Sequence, residues 1–167
     1  MRALQFPRAV LPVSTTLVAL LQLMNSLTVL IPIVLLSGEP LTWRWVLLIP
    51  SIALQAMFCL GLAFLVARLG ARVPDTTQFL PFVARVWFYM SGVMYSVSVF
   101  AKGQPGWVTQ VLNLNPAYIY LTLARHALLV NNPAPPTMWL TATAWSVGLL
   151  ATSYLYFWRG EETYGNV

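Results

Sequence analysis

Charge is what this sequence has least of. Only 8% of its 167 residues are Asp, Glu, Lys or Arg, where a soluble domain carries about 25%. So few charges cannot coat a water-facing surface, which excludes a soluble enzyme, a nucleic-acid-binding domain and a disordered segment. Acids are scarcest, four against nine bases. The single cysteine, Cys59, excludes an internal disulfide and a thiolate metal cluster. The single histidine, His126, excludes a paired-histidine metal site and reads as an interfacial residue. No G-x-x-x-x-G-K-[ST] phosphate loop occurs, and the serines have no His/Asp partner set. Neither catalysis by this chain alone nor any cofactor or metal is therefore expected.

Apolar residues fill the space, at 59% of the chain. A bilayer crossing needs about 20 mostly apolar residues. Four stretches qualify: about Val10–Leu36, Trp45–Ala67, Phe79–Phe100 and Met138–Trp158. The first is too long for a signal-peptide core and reads as a retained helix. Between the third and fourth lies Lys102–Pro136, too polar to span and too apolar for a free loop. Two short helices fit there, broken at Asn115-Pro116. The expected fold is an all-α polytopic membrane protein of four spans, with two short interfacial or re-entrant outer-face helices before the last one.

The basic residues orient it. With four spans, Arg2, Arg8, Arg68, Arg72 and Arg159 share one side, and Arg44, Lys102 and Arg125 the other. The positive-inside rule then places both termini in the cytoplasm of a bacterial plasma membrane. The chain divides into a cytoplasmic segment 1–9, three spans over 10–100, outer helices over 101–136, a last span over 137–158 and a cytoplasmic tail, 159–167.

Arg85 is the one base inside a span. It fits two readings, an anchor snorkelling to the headgroups and a contact for an anionic substrate. Tyr89, four residues on, shares its helix face; Trp87 lies well round from both and reads as packing or lipid contact. Gln22, Asn25 and Gln55 read as interhelical hydrogen-bond partners.

The two ends carry more specific patterns. The start reads Arg2-Ala-Leu-Gln-Phe6-Pro7-Arg8 with a following Leu11-Pro12, and the end reads Trp158-Arg159-Gly-Glu161-Glu162-Thr-Tyr164-Gly165. Between them stand Phe88-Tyr89-Met-Ser91-Gly92-Val93 and Asn115-Pro116 followed by Arg125 and Leu128-Leu129. In this order the motifs resemble the permease subunits of type-2 ABC exporters for polysaccharides and polyol phosphates, the O-antigen and teichoic-acid group. The resemblance implies a homodimer in the lipid bilayer, paired with a separate ABC ATPase subunit and moving a lipid-linked glycan. It implies coupling to the ATPase through Arg2, Phe6, Pro7 and Arg8. It further implies a path past Arg85 and Tyr89, an outer gate at Asn115, Pro116, Tyr118 and Arg125, and a tail motif of Arg159, Glu161, Glu162 and Tyr164. Gly92 stands where the family has proline, so a softer kink is expected there. The chain aligns with the last four of six family spans. Two rival readings fit the same spans, a non-transporting assembly or regulatory membrane protein and a type-2 ABC permease for drugs or lipids.

Overall fold

The computed structural model describes residues 9–73, 75–93, 110–111 and 113–164, without the side chains of Thr77 and of 160–164. The coupling residues Arg2, Phe6, Pro7 and Arg8 lie outside the described residues, as do Tyr95, Lys102 and Trp107. Every described regular element is helical. They are α1 (Val10–Leu36), a 3₁₀ segment (Trp43–Leu47) leading into α2 (Leu48–Arg72), α3 (Thr76–Met90), α4 (Pro116–Leu128) and α5 (Pro136–Tyr164). Among the described residues, two helices are long and apolar enough to cross a membrane: Val10–Leu36 and Trp43–Arg72.

α1 is apolar over most of its surface and satisfies its hydroxyls within itself. Ser14, Thr16, Ser26 and Thr28 each donate to a carbonyl three or four residues back, at 2.9–3.0 Å. That is the arrangement a helix needs where no water is at hand.

α2 and α5 pack along one another, and small residues let them close. A Cβ on Gly61 would stand 2.9 Å from the Leu150 backbone nitrogen. Ser51, Ala142, Ser146 and Ser153 are fully or almost fully buried. The third member of this core is α4. Its Ile119 and Leu123 are wholly buried, and Tyr120, Ala127 and Leu128 nearly so. Phe58 of α2 meets the Tyr120 ring at 5.4 Å and the Trp87 ring of α3 edge-on at 6.2 Å. The Tyr120 hydroxyl lies 2.7 Å from Ser146 Oγ, and Ser146 Oγ donates to the Leu54 carbonyl at 2.8 Å. One hydroxyl pair thus joins three helices.

One expectation is narrowed and one changes here. α4, expected as an interfacial or re-entrant helix, does not lie on the surface of the bundle. Its amphipathic face inserts between α2 and α5, and Tyr120 reaches Ser146, ten residues or about 15 Å along α5. The third apolar stretch is also not one continuous helix. α3 stops at Met90, about 22 Å from its start, because Gly92 sits at φ +67. This is a full break rather than a soft kink, and a proline, locked near φ −65, could not make it. At the far end, α5 continues past Trp158 to Tyr164, so the last apolar stretch and the first tail residues form one helix.

Candidate functional site

Asn-Pro is a helix-start signal, since proline needs no partner for its missing N–H at the first position. Here Asn115 caps α4, its Oδ1 accepting from the Ala117 N–H at 3.1 Å. The same oxygen accepts from the Trp87 indole N–H at 2.8 Å. The Asn115 amide then donates to the Met90 carbonyl at 3.1 Å, one of the carbonyls orphaned by the end of α3. One side chain therefore closes the start of α4 and the end of α3 together. Arg125, a turn from the end of α4, adds a longer bond to the Val93 carbonyl at 3.4 Å. Two open clefts flank this staple. An apolar one of about 320 Å³ is lined by Trp87, Met90, Val111, Leu114, Asn115 and Pro116. A more polar one of about 390 Å³ takes Gln110, Asn113, Thr137 and Thr141.

The far end of α4 is held as firmly. The Val130 N–H donates to Glu39 Oε2, and the Val130 carbonyl accepts from Arg44, each at 3.2 Å. His126 Nδ1 accepts from the Ala134 N–H at 3.1 Å and closes the turn into α5. These contacts gather Glu39, Arg44 and Val130 at one end of the bundle. At the other end, Arg68 donates to the Phe157 carbonyl at 3.3 Å and Arg72 to the Tyr156 hydroxyl at 3.0 Å. The contacts give Arg44 one end and Arg68 and Arg72 the other.

α3 is almost bare. Apart from Trp87, its described side chains from Gln78 to Met90 are exposed, including Arg85 and Tyr89. These two keep a common face, open to whatever lies beside the chain. α1 shows a comparable opening. Ser14, Thr15, Gln22, Asn25 and Ser26 are exposed and fall within about 120° of arc on an otherwise apolar helix. Gln22 and Asn25 therefore do not point into the bundle, where partners of neighbouring helices would belong.

The structure brings Asn115, Pro116 and Arg125 together with the end of α3. Tyr118 is half-buried beside them and donates nothing described; its carbonyl accepts from Thr122 at 2.8 Å. Arg159 is exposed at the opposite end. The side chains of Glu161, Glu162 and Tyr164 lie outside the described residues. Trp87 packs edge-on against Phe58, in keeping with its reading as a packing residue, and is in addition hydrogen-bonded to Asn115. Tyr120 was not singled out as a site residue. Its sequence signal was its place four residues from Pro116 and three from Leu123 on the buried stripe of α4. Among the described residues no group of three His, Cys, Asp or Glu could hold a metal ion. What the arrangement offers is mechanical and polar: a stapled joint between two helices, and two open faces that carry amides, a phenol and a guanidinium.

The O-antigen export system permease protein RfbA of Myxococcus xanthus is 27% identical over 161 residues, which is 95% of this chain and 60% of that protein. The chain thus spans about three-fifths of the length of that relative. No solved structure matches. The family model described as ABC-2 type transporter matches residues 1–129, more than three-quarters of the sequence, and the chain belongs to that family of membrane proteins.

Proposed function

We propose that the chain is part of the transmembrane permease of an ATP-driven exporter that carries a lipid-linked polysaccharide or polyol-phosphate polymer across a bacterial plasma membrane. The observation that carries this is the match, along nearly the whole chain, to a relative named as an O-antigen export permease. In this reading four spans cross the bilayer: α1, the 3₁₀ segment with α2, α3 with the residues after it, and α5. Residues 110–128 enter from the outer face as gate helices, and both termini are cytoplasmic. The depth at which Tyr120 meets α5 supports re-entry. The permease pairs as a homodimer with a separate ATPase that docks on Arg2, Phe6, Pro7 and Arg8; this chain hydrolyses nothing itself.

The path is assigned to the open faces of α1 and α3. A sugar polymer needs hydrogen-bonding groups and stacking surfaces, and Gln22, Asn25 and Tyr89 offer both without leaving the membrane-embedded helices. Arg85 receives the anionic lipid diphosphate near the cytoplasmic mouth. The outer gate is the joint formed by Asn115, Pro116, Tyr118 and Arg125, with the tail of Arg159, Glu161, Glu162 and Tyr164 on the inner side. The test is co-expression of the permease with a candidate ABC ATPase partner in cells that lack their own exporter. Surface polymer should appear with the pair and fall with Arg85→Gln at unchanged protein abundance. Surface polymer at the normal level with Arg85→Gln and Asn25→Leu combined would remove the path from these faces.

A further inference from the structure

At the end of the α2–α5 pair, two guanidinium groups converge on one aromatic ring. Arg68 lies over the Tyr156 ring with 4.0 Å to its centroid, and Arg72 at 5.4 Å. The acceptors described for them are neutral, the Phe157 carbonyl and the Tyr156 hydroxyl, one bond each. A guanidinium has five N–H donors, so among the described residues most of this donor set has no partner. Arg68 is half-buried and Arg72 exposed, so the pair is held in place and reachable at once. Arg159 is exposed one turn beyond Tyr156, on the same side of α5.

Depth identifies what is there to be bound. Arg68 stands twenty residues beyond Leu48 along α2, about 30 Å, the thickness of the hydrocarbon layer. Tyr154 and Trp158 are half exposed at the same level of α5, as aromatics at a headgroup boundary are. Planar guanidinium forks match phosphate oxygens, and stacking on a ring leaves their edges free to donate.

We infer that Arg68, Arg72 and Tyr156 form a site for the phosphate of an anionic phospholipid headgroup at the cytoplasmic boundary. The inference rests on the membrane placement of α2 and α5 and is independent of the exported polymer. The ring sets the spacing of the two guanidiniums, and a bound lipid phosphate would bridge the two helix ends across it.

The test is native mass spectrometry of the full chain released from mixed micelles of phosphatidylglycerol and phosphatidylcholine with the same acyl chains. The wild type should retain phosphatidylglycerol in clear preference. Each arginine at such a surface is worth a factor of about five. Arg68→Gln with Arg72→Gln should therefore cut the preference about 25-fold, and the double lysine variant should keep most of it. Should the double glutamine variant not fold, exposed Arg72→Gln alone should cost about fivefold. Tyr156→Phe, which keeps the ring, should stay within about twofold of wild type. An unchanged preference in the glutamine variants would overturn the site. Displacement of the lipid by millimolar inorganic diphosphate alone would mark a soluble-phosphate site and overturn the lipid assignment. Protease protection of α2 and α5 in vesicles scores the membrane placement separately, so failure of one is told from failure of the other.

Discussion

Replacing Asn115 by alanine removes the staple between α3 and α4 at a stroke. The helix cap contributes about 1 kcal/mol. The Trp87 indole N–H and the Met90 carbonyl would each lose a partner, at about 1–3 kcal/mol for a fully buried group. Trp87 and Asn115 are only half-buried, so water recovers part of this, and a total of about 2–3 kcal/mol follows. For a chain of this size that is a fall in Tm of roughly 5–10 °C in detergent. Asn115→Asp keeps the oxygen that accepts from Trp87 and Ala117 but loses the donor to Met90, and should fall between the two. A double-mutant cycle with Trp87→Phe should show coupling of about 0.5–1.5 kcal/mol. Hydrogen exchange should quicken first at Ala117, whose amide the cap holds. A Tm within about 1 °C of wild type for Asn115→Ala, with no coupling to Trp87, would refute the staple.

Other perturbations have equally definite outcomes. Gly61→Ala puts a Cβ against Leu150 backbone that cannot give way, so α2 and α5 must separate, at about 1–3 kcal/mol in thermal unfolding. Gly148→Ala, with nothing within 4 Å of the new carbon, should be neutral or stabilising by up to about 1 kcal/mol. Gly92→Ala should cost about 1–2 kcal/mol for its positive φ, and Gly92→Pro about 3 kcal/mol or more, because the ring cannot adopt that angle. Glu39→Ala removes the acceptor of the Val130 N–H at an exposed site, so exchange at that amide should rise several-fold with little change in Tm.

The long apolar runs were legible because lipid-compatible helices need nothing but length and composition. α1 begins and ends where its uncharged run does. The break after α3 was harder. Met90-Ser91-Gly92 interrupts a stretch that stays apolar on both sides, and only the left-handed φ at Gly92 shows that the helix stops. The depth of α4 was hidden for a related reason. Its polar ends, Asn115 at the start and Arg125 and His126 near the finish, suggest a helix lying in the interface, yet each is satisfied by backbone groups of neighbouring segments while Ile119, Tyr120 and Leu123 between them are buried. Trp87 and Tyr120 owe their roles to partners 28 and 26 residues away. Periodicity carries no information about such pairs. The open faces of α1 and α3 were half legible. Gln22 and Asn25 stood out as amides in an apolar run, but which way they turn depends on which flank of α1 the rest of the bundle covers.

The assignment of the path to those faces is tested most directly by site-specific photocrosslinking in the exporting cell. A photoreactive residue at Asn25 or Tyr89, in a complex stalled with a hydrolysis-deficient ATPase, should yield a permease adduct that carries glycan. The same residue at Leu17, exposed about 120° round α1 from the centre of its polar arc, should yield lipid adducts only. Glycan at Leu17 with none at Asn25 and Tyr89 would contradict the account and place the path elsewhere in the bundle.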